Sequence, residues 1–168
     1  MIREFNGKIP QIDPTAFVSE AAYIIGEVTI GPYSSVWPGA IIRADQGPIS
    51  IGSHTNIQDN SVVHTDVAAT IGNYVTLGHS VVCHAASIAD YSLLGNGCVV
   101  NEGVSIGNNV IVAAASMVVE RKHIPEGMLV AGVPAVIKGK LFARHKELIL
   151  SVSKHYVRLA QQYKTAGL

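Results

Sequence analysis

The stretch TIGNYVTLGHSVVCH, residues 70–84, carries a six-residue period. Its apolar residues Ile71, Leu77 and Cys83 stand six apart, glycine directly follows the first two, and valine stands four residues after each of those. Six residues are too few for a hairpin strand with its loop, but they suit one flat side of a prism. Three such sides make an 18-residue turn of a parallel β-helix.

The same period governs most of the chain. At this spacing, with three shifts of register, eighteen positions are all apolar in a chain that is 48% hydrophobic. Eighteen hexads predict an all-β fold, a parallel β-helix of about six coils. The apolar positions are Ile12, Val18, Ile24, Ile30, Val36, Ile42, Ile51, Ile57, Val63, Ile71, Leu77, Cys83, Ile88, Leu94, Val100, Ile106, Val112 and Val118.

The repeat resembles the hexapeptide-repeat, or isoleucine-patch, superfamily over residues 12 to about 135. That resemblance implies a left-handed β-helix. The segment AGVPAVIKGKL, residues 131–141, is typical of the end of such a helix, where Pro134 stops the repeat. We therefore expect a β-helix domain over residues 1–140.

Residues 141–168 follow a different period. Their apolar positions recur at steps of three, four and seven, which predicts an amphipathic α-helix packed along the β-helix. The positions are Leu141, Leu148, Val152, Tyr156, Leu159 and Tyr163.

The composition excludes several classes of partner. Lys plus Arg number 12 and Asp plus Glu number 12, so the charge favours neither nucleic acid nor an anionic membrane as a partner. The longest apolar run, residues 110–119, is too short to span a bilayer. We expect a soluble, cytoplasmic protein in which Cys83 and Cys98 are free, buried thiols.

Two of the seven histidines occupy the same position of the repeat. With three sides per turn, residues three hexads apart lie above one another at the spacing of parallel strands, about 4.8 Å. His64 and His84 each follow an apolar position and therefore stack on one face, and Arg43 belongs to the same column. His79 lies around a corner on the preceding side, with Asp59 beneath it.

This arrangement predicts a metal site. Stacked imidazoles can turn their nitrogens onto one zinc ion, but two ligands make a weak site and His79 points elsewhere. A threefold neighbour would supply its own His79 to the His64 and His84 of the first chain, so we expect a homotrimer with one metal per interface. We interpret the other histidines as structural: His54, His123, His145 and His155.

Three motifs stand on the repeat in this order: RAD at 43–45, NIQDNSVVH at 56–64 and LGHSVVCH at 77–84. With them the chain resembles the γ-class carbonic anhydrases over nearly its whole length. The resemblance implies that the three histidines bind catalytic Zn²⁺, or alternatively Fe²⁺ or Co²⁺, and that a metal-bound hydroxide converts carbon dioxide reversibly to bicarbonate.

The resemblance also implies roles for the surrounding residues. In the family, the residues matching Arg43 and Asp45 form an ion pair near the site and across the interface; a purely structural trimer salt bridge is the alternative for these two and for Asp59. We otherwise expect Asp59 to support His79. The other catalytic candidates are Gln58, which hydrogen-bonds the metal-bound solvent in the family, Asn56, which positions substrate, and Tyr156, which reaches the site from the helix.

The sequence departs from the family pattern in three places. Gln46 replaces the acidic residue after RAD, and the short TDVAAT at 65–70 replaces a longer acidic loop, so the proton shuttle is missing or different and we expect low activity. Asn96 stands in the column above His79, where the family usually has methionine; its carboxamide can bond the histidine or the solvent.

Two other functions stay open. Hexapeptide acyltransferases, which use coenzyme A, share the prism, the trimer and the AGVPA ending, but their chemistry needs one histidine as general base and not three convergent ones. The second alternative is a non-catalytic trimeric scaffold or binding protein in which the metal only stabilises the interface.

Overall fold

A computed structural model describes residues 1–168 and shows twenty short strands followed by one helix. The strands are β1 (Ile2–Arg3), β2 (Gln11–Ile12), β3 (Phe17–Val18), β4 (Tyr23–Ile30), β5 (Ser35–Val36), β6 (Ile41–Ile51), β7 (Asn56–Ile57), β8 (Val62–His64), β9 (Ala69–Ile71), β10 (Thr76–Leu77), β11 (Val82–Cys83), β12 (Ser87–Ile88), β13 (Leu93–Leu94), β14 (Val99–Val100), β15 (Ser105–Ile106), β16 (Ile111–Val112), β17 (Met117–Val118), β18 (His123–Ile124), β19 (Met128–Gly132) and β20 (Ala135–Lys140). The helix is α1 (Ala143–Ala166).

The strands wind as a left-handed β-solenoid, which confirms the predicted fold class. Each strand pairs in parallel with the strands one turn below and above, giving the orders β3-β5-β7-β10-β13-β16-β19 on one side, β6-β8-β11-β14-β17 on the second and β6-β9-β12-β15-β18 on the third. The long strands β4 and β6 bend around a corner and join two sides. The solenoid has about seven turns, one more than expected, because β18 and β19 continue the repeat before the antiparallel pairing of β19 with β20 ends it.

The predicted apolar positions form the interior. Sixteen of the eighteen are buried in one cluster, and Ile12 and Val18 in the first turn are partly buried. The two cysteines are also buried and unpaired. Burial raises the pKa of the Cys83 thiol to about 11 and that of Cys98 to about 12.

Small hydroxyl residues tie the corners of neighbouring turns together. Ser61 donates to the carbonyl oxygen of Gly78 at 2.7 Å and accepts from the Val81 amide at 3.0 Å. Ser34 and Thr55 make the same pair of contacts to their own next turns. A small side chain is needed here because the hydroxyl must reach backbone groups that the sharp corner leaves without partners.

One corner carries a column of aromatic rings, which we call the aromatic ladder. Its members all have left-handed backbone conformations, with φ of 56° to 58°. The rings of the middle members stack face to face: centroids of His54 and Tyr74 are 4.6 Å apart, and those of Tyr74 and Tyr91 are 4.9 Å apart. The four members, in order, are Tyr33, His54, Tyr74 and Tyr91.

Helix α1 packs along the side formed by β3, β5, β7 and β10. Its buried residues are Ile149, Ser153 and Ala160, and the Ser153 hydroxyl donates to the carbonyl oxygen of His54 at 2.7 Å. The prediction that Leu148 belongs to the packed face is wrong: Leu148 is exposed and its neighbour Ile149 faces the solenoid.

The division into two domains at residue 140 stays a prediction. No helix in the chain combines the length and the apolar character needed to cross a membrane.

Candidate metal centre

The side built from β6, β8 and β11 brings His64 and His84 together. Strand register places His64 beside Arg43 of β6, and His84 directly follows β11 one turn further on. The two imidazole rings have centroids 4.8 Å apart, and Nδ1 of His64 lies 3.2 Å from Nε2 of His84. The structure therefore places these residues as the repeat predicts, with one nitrogen of each ring facing the other.

A carboxylate holds the other nitrogen of His64. Nε2 of His64 lies 3.1 Å from Oδ1 of Asp45, whose Oδ2 accepts a hydrogen bond from Nη1 of Arg43 at 2.5 Å. Burial by itself would raise the pKa of Asp45, but hydrogen bonds from Arg43, from its own backbone and from His64 together lower that pKa below its usual value. Because an ionised Asp45 can only accept, it holds the hydrogen of His64 on Nε2 and leaves Nδ1 with a free lone pair.

These nitrogens fit a metal ion. Two nitrogens bonded to one tetrahedral zinc at about 2.0–2.1 Å must lie about 3.3–3.4 Å apart. The observed separation between Nδ1 of His64 and Nε2 of His84 is 3.2 Å. A carboxylate on the far nitrogen of a histidine is also the usual support of a metal ligand, and Asp45 provides it.

His79 lies at a corner, two residues after β10, and is half-exposed. Its Nδ1 is 2.9 Å from Oδ2 of Asp59, so Nε2 is left for another partner. Asn96, one turn above, accepts a hydrogen bond from the backbone amide of His79 through Oδ1 at 3.1 Å. Gly78 makes that contact possible, because a Cβ there would overlap the carboxamide oxygen of Asn96. Asp59 therefore contacts His79, whereas Arg43 pairs with Asp45 and not with Asp59.

His79 does not meet the other two histidines within one chain. No three His, Cys, Asp or Glu side chains of the structure converge in an arrangement that could hold a metal ion. A site that contains all three predicted ligands therefore needs a second copy of the chain.

A cavity of about 270 Å³ lies beside His79, between β10, β13 and α1. Gln58, Asn96 and Tyr156 line it together with His79. The ring of Tyr156 packs edge-on against Trp37 at 5.4 Å between centroids, and burial, followed by the charge of Asp59, raises the pKa of the tyrosine hydroxyl. The cavity therefore brings together predicted site residues from the solenoid, Gln58 and Asn96, and from the helix, Tyr156.

The amide of Gln58 is oriented by a buried hydrogen-bonded chain. Nδ2 of Asn56 donates to the hydroxyl of Thr76 at 2.9 Å, and Nε2 of Gln58 donates to Oδ1 of Asn56 at 2.9 Å. All three side chains are buried. Sequence reasoning missed Thr76, although the signal was present: Thr76 pairs with Asn56 in the register of β10 and β7.

The short loop at residues 65–70 also contributes a residue that sequence reasoning missed. Asp66 is exposed, and its Oδ1 lies 4.0 Å from Nε2 of His64. Gln46 lines a groove together with Asp45 and with Phe5, Asn6 and Lys8 of the N-terminal segment. The loop that lacks the long acidic insertion therefore still brings one carboxylate to the histidine pair.

Apolar residues cover the outer surface next to the histidine column. They lie two residues before Arg43, His64 and His84 and at the equivalent places of the next two turns, in register across β6, β8, β11, β14 and β17. We call them the apolar strip: Ile41, Val62, Val82, Val99 and Met117. Ile41 and Val82 are 38% and 40% exposed, and a contiguous row of apolar side chains at the surface is suited to association.

Comparison with known proteins shows the family of the chain. The chain is 35% identical over 166 residues to a carbonic anhydrase of Geobacillus kaustophilus, and the match covers 98% of this chain and 91% of that protein. The chain belongs to the γ-carbonic anhydrase-like family of hexapeptide-repeat proteins. Within this family it is also 39% identical over 162 residues to the mitochondrial γ carbonic anhydrase 2 of Arabidopsis thaliana, with 92% of this chain matched, but it spans only 58% of that plant protein's length.

Solved structures agree with the fold. A hexapeptide transferase family protein from Anaplasma phagocytophilum superposes with a TM-score of 0.93 at 33% identity, over 96% of this chain and 97% of that one. No family model matches the sequence. Proteins similar to this chain therefore carry both carbonic anhydrase and transferase names.

Proposed function

We propose that the protein is a metal-dependent carbonic anhydrase that interconverts carbon dioxide and bicarbonate. It acts as a homotrimer, with each metal held by His64 and His84 of one subunit and His79 of the next. The observation that carries the proposal is the 3.2 Å separation of Nδ1 of His64 and Nε2 of His84, with Asp45 on the far side of His64. The proposal includes a cytoplasmic location, although the Arabidopsis relative is mitochondrial.

The donor set favours zinc, with ferrous iron or cobalt as alternatives, because neutral imidazoles suit these ions. Such an ion, when bound, supplies Lewis acidity and with it a nucleophile at neutral pH. Asp45 and Asp59 keep His64 and His79 each with one nitrogen free to bind, by accepting the hydrogen of the other nitrogen.

Gln58 and Asn56 act on the substrate side. Because Nε2 of Gln58 donates to Asn56, its Oε1 is free to accept a hydrogen bond in the cavity. Gln58 is only 4% exposed and is held by a buried neighbour, so this acceptor is fixed in place before substrate arrives. Tyr156 closes the same cavity from the helix and limits the access of water.

The hydration of carbon dioxide releases a proton, which must reach the solvent. Asp66 is an exposed carboxylate near the histidine pair, with its Oδ1 4.0 Å from Nε2 of His64 on the side away from the metal, so it can receive that proton only through solvent. Because a single exposed carboxylate transfers protons to solvent slowly, we expect slow turnover that added buffer accelerates.

Two features of the chain support the proposed trimer. The ligand set is incomplete in one chain, and the apolar strip lies beside the histidine column. Burying the strip against a neighbouring subunit removes apolar surface from water at about 25 cal/mol per Å², and a cyclic arrangement repeats one contact three times.

An acyltransferase that uses coenzyme A is the second candidate, since the Anaplasma relative is named as a hexapeptide transferase family protein. That activity would not need three histidines to converge. Saturable binding of coenzyme A to metal-free protein would favour it.

Metal content per subunit and stopped-flow carbon dioxide hydration, measured on one chelator-free preparation, test the proposal. We expect one metal per subunit, hydration that chelation abolishes, and recovery with zinc or iron. Stoichiometric metal without hydration at any pH, in a trimer that chelation dissociates, would instead favour the scaffold. Absence of bound metal after reconstitution would overturn the ligand assignment.

A further inference from the structure

A second cavity, of about 510 Å³, opens at another corner of the solenoid. It lies between the aromatic ladder and helix α1, and His54, Tyr74, Ser151, Lys154, Val157 and Arg158 line it. It shares no residue with the cavity beside His79. Its volume lies within the range of small-molecule sites, about 300–1,000 Å³.

The cavity has a positive charge that nothing in the chain neutralises. Lys154 and Arg158 stand four residues apart on one face of α1, and neither makes an ion pair or a hydrogen bond to another residue. None of the lining residues is acidic. The whole helix carries five cationic side chains and one acidic one, Glu147. A guanidinium beside an ammonium favours a carboxylate or a phosphate group.

The ladder side of the cavity presents ring edges. Both faces of Tyr74 are covered, because it stacks on His54 at an interplanar angle of 10° and on Tyr91 at 8°. A ligand in the cavity can therefore meet only the edge and the hydroxyl of Tyr74. Ring edges are the positive part of the aromatic quadrupole and pack well against the face of another aromatic ring. Val157 and the stem of Lys154 add apolar surface for such a ring.

His54 provides an observation that does not depend on charge. Its Nδ1 is the one buried side-chain nitrogen or oxygen in the chain that has no hydrogen-bond partner. Proteins rarely leave such an atom unsatisfied. His54 lines this cavity, but its Nδ1 is itself buried and out of reach of a ligand there; the hydrogen bond from Ser153 to the carbonyl oxygen of His54 fixes the helix against the ladder.

We propose that this cavity is a binding site for a small aromatic anion, a ring that carries one carboxylate or phosphate group. The oxyanion contacts Arg158 and Lys154, and the face of the ring packs on the edges of His54 and Tyr74. The site is independent of the proposed metal centre, so it does not depend on the activity of the protein.

Titration calorimetry of the full chain with four probes tests the ligand chemistry. Benzoate and phenyl phosphate carry both features, benzyl alcohol has the ring without the charge, and inorganic phosphate has the charge without the ring. We expect saturable binding with one site per subunit for benzoate, for phenyl phosphate or for both, and at least tenfold weaker binding of the other two. Equal binding of benzyl alcohol, or no saturable binding of either aromatic anion, would overturn the proposal.

Variants locate the site. Arg158→Gln and Lys154→Gln should each weaken the aromatic anion at least tenfold, whereas Lys146→Gln, an exposed lysine of the same helix outside the cavity, should leave affinity unchanged. His84→Ala should also bind as the parent does, which separates this site from anion binding at a metal. Unchanged affinity in both cavity variants, or loss of binding in His84→Ala alone, would place the ligand elsewhere. Circular dichroism confirms that each variant is folded.

Discussion

His64 and His84 occupy the same position in successive turns of the solenoid, and their facing nitrogens are 3.2 Å apart. We therefore predict that His84→Ala and His64→Ala each lose bound metal, from about one ion per subunit to well below one tenth, measured by atomic emission on protein purified without chelators. Two remaining ligands bind weakly. His123→Ala, an exposed histidine on β18, is the control. Full metal content in His84→Ala would contradict the ligand assignment.

Asp59 fixes His79 through a contact of 2.9 Å. Asp59→Asn should keep the fold but weaken metal affinity about 10- to 100-fold, because the carboxylate selects which nitrogen of the histidine is free. Competition with a chromophoric chelator measures this change. Glu126→Gln, which removes an exposed charge that forms no ion pair with His64, His79 or His84, should not alter affinity. If affinity in Asp59→Asn equals that of the parent, His79 is not a ligand or does not depend on Asp59.

Thr76 stands at the start of the hydrogen-bonded chain that reaches Gln58. Thr76→Val should lower kcat for hydration about ten- to a hundredfold, because Asn56 loses its partner and Gln58 its orientation. The buried Nδ2 of Asn56 is left unpaired, which costs about 1–3 kcal/mol of stability. Metal content should stay unchanged.

The control for this variant is Thr70→Val, which changes an exposed threonine on β9. It should alter neither kcat nor stability. A Thr76→Val protein that is less stable but retains the parent kcat would show that the chain of hydrogen bonds serves the fold and not the reaction.

The sequence predicts the parts of this molecule that depend on periodicity. A strict six-residue repeat determines which residues stack, so the heights of Arg43, His64 and His84 follow from counting. The same counting would have placed Thr76 above Asn56. It cannot predict that Asp45 turns towards His64, because that contact depends on side-chain rotamers and on the path of the chain around the corner within β6.

The packed face of the helix is a second feature that the sequence predicts only in part. Steps of three and four residues define an apolar face only to within one position, and the face that packs is decided by what it packs against. Trp37 of the solenoid packs against Tyr156, and the carbonyl oxygen of His54 accepts a hydrogen bond from Ser153. These contacts fix the rotation of the helix and leave Leu148 at the surface. The cavity between α1 and the aromatic ladder depends on the same docking and had no signal in the sequence.

The two thiols should be unreactive in the folded protein. Burial raises the pKa of Cys83 to about 11 and that of Cys98 to about 12, from an ordinary value of 9.0, so at pH 8 both are protonated and inaccessible. A chromogenic disulfide reagent should detect no thiol in native protein and two in guanidinium. Because the folded pKa values are raised, the stability that depends on these protonated thiols is fully present below pH 9 and falls as the pH rises towards 11. Rapid native reaction at pH 8 would contradict the buried positions.

Adjacent leucine and isoleucine residues test how α1 docks. Ile149 is fully buried and Leu148 is 47% exposed. Ile149→Ala should lower the free energy of unfolding by about 2–5 kcal/mol, because it removes buried methyl groups and leaves a cavity. Leu148→Ala should change it by no more than about 0.5 kcal/mol. Urea denaturation followed by circular dichroism measures both. Since α1 also brings Tyr156 to the cavity beside His79, comparable losses in the two variants would mean that the helix docks in another rotation and that Tyr156 does not face that cavity.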